Sequence, residues 1–105
     1  MNPNILPPTA CETMAEVRAG VDSVDRQIVA LLATRFGYMD AAARIKPSRG
    51  AVRDEARKAQ VIANASAHAA ELGVPVGLVA DFWEQLVEAS IAYEFDRFDE
   101  MRAGA

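Results

Sequence analysis

The chain predicts an all-α fold of three helices with a long first helix, and three observations carry that expectation. Apolar residues make up 51% of its 105 positions, and Ala, Leu, Glu and Arg outnumber the β-branched residues that favour sheet. From Met14 the apolar side chains run Val17, Val21, Val24, Ile28, Leu31, Tyr38, Ala42 and Ile45, in steps of three and four once position 35 is counted. That rhythm belongs to a helix that packs along its whole length. Finally, Lys46-Pro47 and the Gly73 to Pro75 segment cut the rest of the chain into helix-sized pieces.

Residues 1–12 are expected to form a flexible lead-in, with Pro3, Pro7 and Pro8, ahead of a helical domain over 13–102. Thr13 and Glu16 have capping-box spacing and mark the first helix start. Gly20 and Gly37 weaken that helix only modestly, so it runs on to Lys46, about 33 residues or roughly 50 Å. Residues 47–53 read as a polar loop. A second helix spans about Asp54 to Leu72, its first turn acidic at Asp54 and Glu55 to suit the N-terminal dipole. Gly73 fits the position just past a helix end, and Pro75 the first turn of the next. The third helix runs from Pro75 to Met101, with Val76, Val79, Trp83, Leu86, Ser90 and Tyr93 in heptad spacing. There is no internal repeat.

Composition bounds the function. The length suits one domain with a real core. A net charge of −4 argues against nucleic acid as a partner. Cys11 is the sole cysteine, so no intrachain disulfide forms and a reducing compartment suits the chain. The first ten residues lack a signal-peptide pattern, and no apolar stretch approaches the ~20 residues of a membrane span. A cytoplasmic protein with no membrane partner is expected. A helix of roughly 50 Å overshoots the ~13 Å radius of gyration of a domain this size. Its stripe therefore needs a cover, and a second copy in a two-fold, entwined homodimer supplies one.

One position breaks the stripe. Arg35 stands where leucine belongs, and a buried guanidinium costs several kcal/mol unless an anion meets it. Lys46 lies eleven residues on, about three turns, and so shares the Arg35 face. Arg18 is rotated by roughly 100° from that face, so it reaches such a pocket only across a dimer. Arg57, one turn into the second helix, adds a fourth cation. On the third helix Ser90 and Glu94, spaced i, i+4, put polar groups where core residues are expected. The set describes a pocket for a small dianion. Each residue also has a plainer reading. Asp22, Asp25 or Asp40 can satisfy Arg35, Lys46 suits a helix C-terminus without any ligand, and Ser90 can bond back to its own turn. Glu94 can be a surface charge. Trp83 and Tyr38 read as core and His68 as exposed. Arg49 and Arg53 read either as a mobile electrostatic lid or as solvated loop charges.

The stretch from Val17 to Lys46, VRAGVDSVDRQIVALLATRFGYMDAAARIK, resembles the first helix of the all-helical chorismate mutases. The likeness continues through VRDEAR at 52–57 and LVEASIAYE at 86–94, covering roughly residues 13–98, and the related isochorismate-pyruvate lyases share most of these positions. The resemblance implies a small dicarboxylate substrate and a homodimer in which Arg18 crosses to the other subunit's site. Arg35 would bind a carboxylate within its own chain. Lys46 would bond the ether oxygen and a neighbouring carboxylate, and Glu94 the ether oxygen as well. Asp54 and Arg57 would close the site near the substrate hydroxyl, and Ser90 would support the ring carboxylate. The family mechanism needs no nucleophile, metal or cofactor. The enzyme holds the diaxial conformer of chorismate and stabilises charge at the breaking C–O bond, with Lys46, Glu94 and Arg35 as its catalytic residues.

Two positions depart from the family pattern. Glu94 replaces a common glutamine and can donate a hydrogen bond only when protonated, so activity is expected to favour acidic pH. Lys58 replaces a common glutamate, a change expected to relax substrate choice towards isochorismate. The expected activity is therefore chorismate mutase. The alternatives are isochorismate-pyruvate lyase and a noncatalytic helical dimer that binds an anion or a protein partner.

Overall fold

The computed structural model describes residues 5–103, which form three α-helices with no strand among them: α1 Met14–Ile45, α2 Glu55–Leu72 and α3 Val76–Ala103. Short 3-10 turns occupy Pro8–Ala10 and Arg49–Ala51. The chain divides into two compact units, 1–37 and 38–105.

In the first unit the start of α1 is set by local chemistry. The Thr13 amide donates to Glu16 Oε1 at 2.9 Å, and the Glu16 amide donates to Thr13 Oγ1 at 3.2 Å, which is a reciprocal capping box. These bonds hold the Glu16 carboxyl below the usual carboxylate range, the Glu12 and Thr13 amides acting most strongly. Of the expected flexible lead-in, residues 1–4 lie outside the described residues. Pro8–Ala10 is turned, with the Ala10 amide donating to Pro7 O at 2.9 Å. Ile5, Leu6, Pro7, Pro8 and Cys11 line one side of an apolar groove of about 490 Å³ whose other side is Val17, Gly20, Val21 and Val24 of α1. The α1 stripe is not covered within a single chain: Val21, Val24, Ile28 and Leu31 are all exposed.

The second unit holds the core. Ala43 at the end of α1, Val52 in the connection, and Val87, Ile91 and Phe98 of α3 are buried together, with Val61, Ile62, Trp83 and Phe95 packed against them. Trp83, read as core, is half-buried and packs against that cluster; Tyr38, read as core too, does not. It is 69% exposed, because it belongs to the apolar stripe of α1 that stays bare. Asp54 caps α2 by accepting from the Arg57 amide at 3.0 Å. Helix α2 ends at Gly73, whose φ of 72° is the left-handed conformation glycine adopts without strain.

Two ion-pair networks hold these elements together. On α3, the Tyr93 hydroxyl and Arg97 Nε both donate to Asp40 Oδ1 of α1, at 2.8 and 2.9 Å, and keep Asp40 below the usual carboxylate range. At the start of α2, Arg53 reaches Glu55 and Glu88, while Lys58 reaches Glu84 and Glu88. Glu88 thus accepts from two cations, Arg53 first and Lys58 second, and its carboxyl is lowered from 4.5 to about 2. A depressed carboxylate contributes stability that is complete above its unfolded value and is lost as pH falls through the folded one. Thermal melts of Glu88→Gln are therefore expected to lose less midpoint between pH 4.5 and about 2 than those of the parent chain. Parallel losses in the two proteins would remove Glu88 from the acid response.

Candidate functional site

Lys46 stands where α1 must stop. Its amide still donates to Ala42 O at 2.9 Å, but Pro47 has no N–H to continue the ladder. The side chain, about a third exposed, turns inward, and its ammonium donates to Val52 O at 3.2 Å. The same nitrogen stands 2.7 Å from Glu94 Oε2, and Glu94 is only 4% exposed. This contact is an ion pair rather than a directed hydrogen bond, so buried Oε2 accepts no hydrogen bond of ordinary angle. An ammonium has three donors, and Val52 takes one. The ammonium therefore keeps donor capacity beside its carboxylate partner, enough to reach a single oxygen of a guest.

Ser90 and Glu94 sit one turn apart on α3, and both are buried among apolar neighbours. Ser90 Oγ donates to Leu86 O at 2.7 Å, the backbone bond that a helical serine commonly makes. Asp54 and Arg57 flank the first turn of α2, both exposed. Arg57 Nη1 donates to Gln60 Oε1 at 2.6 Å, along its own helix. Of the named residues, the structure brings Lys46 together with Glu94 and sets Ser90 beside Glu94 in the same helix. Arg18 and Arg35 lie on α1 in the first unit, Arg18 exposed and Arg35 half-buried.

Lys58 is held between Glu84 and Glu88 of α3, both at 2.8 Å, so its ammonium is matched within the fold. The reading of Arg49 and Arg53 as a mobile lid needs correction. Arg49 is no free lid: Nε donates to Asp99 Oδ1 at 2.9 Å while the guanidinium lies 4.4 Å over the Phe95 ring. Arg53 is likewise tied, to Glu55 and Glu88. His68, as expected, is exposed. Two partners of Lys46 escaped the sequence reading. One is the Val52 carbonyl. The other is Arg102, which donates to Lys46 O at 3.0 Å and to Ala43 O at 3.0 Å. Only the i, i+4 spacing of Phe98 and Arg102 hinted at the second.

Among the described residues no group of three His, Cys, Asp or Glu side chains is arranged to hold a metal ion. No helix among them is long and apolar enough to cross a membrane.

Among the described residues the regular structure is helical, and the half-buried Lys46 ammonium meets the buried Glu94 carboxyl between α1 and α3, which defines an all-α domain with a polar site against its core. The chain belongs to the family described as chorismate mutase type II, which matches residues 17–95. It is also similar to an isochorismate pyruvate lyase of Pseudomonas aeruginosa, 29% identical over 98 residues that cover 93% of this chain and 97% of the relative. An enzyme of this family is what the match defines.

Proposed function

We propose that the protein is a chorismate mutase, converting chorismate to prephenate by a pericyclic shift at a site that a homodimer completes. The observation that carries the proposal is the pairing of Lys46 with the buried Glu94 carboxyl, 2.7 Å apart. A Claisen rearrangement needs no nucleophile. It needs a fixed conformer and positive charge or donors where the ether oxygen gains electron density. Lys46 supplies the charge, and Glu94 donates a second hydrogen bond when protonated. Arg35 and Arg18 of the partner subunit take the two carboxylates, with Ser90, Asp54 and Arg57 around them. The bare α1 stripe, exposed from Val21 to Leu31, supports a second copy as its cover.

The lyase reading stands beside this one because of the 29% identical relative. It uses the same cations on a near-identical dianion. Purified protein incubated separately with chorismate and isochorismate decides between them. Prephenate from chorismate is expected; salicylate and pyruvate from isochorismate, without prephenate, would establish the lyase instead. Mixing inactive Arg18→Ala and Arg35→Ala variants tests the composite site. Subunit exchange rebuilds one intact site in each mixed dimer, so activity absent from either variant alone is expected to return. Persistent inactivity after exchange would refute the shared site.

A further inference from the structure

We infer that Arg102 is a positioning residue for Lys46: it fixes the end of α1 and so sets where the ammonium stands. This inference rests on the mutase reading above. The last carbonyls of a helix have no partner within it, and Pro47 deprives this end of a following amide. Arg102 meets that need from α3. Nη1 donates to Ala43 O and Nη2 to Lys46 O, both at 3.0 Å, so one planar guanidinium bridges the final turn of α1 and the residue just beyond it. Ala43 is fully buried, and its carbonyl has no water to turn to if the guanidinium leaves.

The guanidinium is itself held. Its Cζ lies 3.5 Å over the Phe98 ring, and Nη1 also reaches Phe98 O at 3.4 Å. Phe98 is buried in the same core as Ala43 and Val52, and Val52 O accepts from the Lys46 ammonium. Lys46 is therefore gripped at both ends, its backbone by Arg102 and its side chain by Val52 and Glu94. A cation is also favoured at a helix C-terminus, which makes arginine suitable on charge as well as shape. An ammonium at position 102 reaches one carbonyl at a time and lacks the planar fork.

Steady-state kinetics on the full chain test this with Arg102→Ala and Arg102→Lys, each alone and combined with Lys46→Ala. Loss of geometry at the reacting group predicts a kcat lower by about 10- to 100-fold in Arg102→Ala, with KM within about twofold, and partial recovery in Arg102→Lys. In the Lys46→Ala background the same change is expected to leave the residual rate nearly untouched. A merely structural arginine gives a different pattern, an equal fold-loss in both backgrounds or a lower melting midpoint with kcat unchanged, and either overturns the inference. If Arg102→Ala fails to fold, Arg102→Lys decides by the same criteria. The 13C resonance of Lys46 Cε, assigned with Lys46→Arg, gives a readout apart from activity. It is expected to shift in Arg102→Lys, and an unmoved resonance overturns the inference. Should the parent protein convert neither chorismate nor isochorismate, the mutase reading falls while the resonance still judges Arg102.

Discussion

Lys46→Ala is expected to lower kcat by about 100- to 1000-fold, the loss typical when one preorganised donor to a developing negative charge is removed. The ammonium lies 2.7 Å from a carboxyl that is 4% exposed, so little water is at hand to take over its role. Its interaction strengthens as the ether oxygen gains charge, so kcat falls further than KM rises. Circular dichroism melts must accompany the kinetics, because the substitution leaves Glu94 buried without its cation. Retained kcat in a folded Lys46→Ala protein would reduce the pair to a structural ion pair. Lys46→Arg is a poor substitute, since a guanidinium in this space presents a planar fork instead of a point charge.

The second large effect is at Glu94 itself. Its carboxyl stands 2.7 Å from the Lys46 ammonium and is only 4% exposed, so its charge partly answers the positive charge that the reaction calls on. Glutamine keeps the length of the side chain, offers an N–H donor to the ether oxygen and leaves the ammonium without a counter-charge. Glu94→Gln is therefore expected to raise kcat by about tenfold, whereas Glu94→Ala, which offers no donor, is not. The check is kcat for both variants beside the parent enzyme, with melts to show that each is folded. Equal kcat in the parent and in Glu94→Gln would remove Glu94 from the chemistry.

How far the sequence reached depended on the range of the interactions involved. The ends of the helices were legible because they are written locally. Thr13 and Glu16 close a box within four residues, Asp54 caps the Arg57 amide, and Gly73 adopts the left-handed turn that its lack of a Cβ allows. The polar interruptions at Ser90 and Glu94 were legible as breaks in an apolar rhythm, and both side chains are buried. Pairings between distant residues were not legible. Arg49 finds Asp99 and Arg53 finds Glu88, partners 50 and 35 positions away that no periodicity announces. The fork of Arg102 on α1 carbonyls was invisible for a further reason: its acceptors are backbone atoms, which every residue carries alike. Tyr38 misled because a stripe shows that a face needs cover without showing whether its own chain provides it.

The half-buried ammonium and its buried carboxylate also have a thermal consequence. Removing charges from water is a penalty that shrinks on warming, because the hydration they forgo becomes less favourable as temperature rises. Lys46 and Glu94 are thus the heaviest burden on this fold in the cold and the lightest near its melting range. Heat erodes the apolar packing around them while easing their confinement, so this pair opposes folding less as the molecule warms.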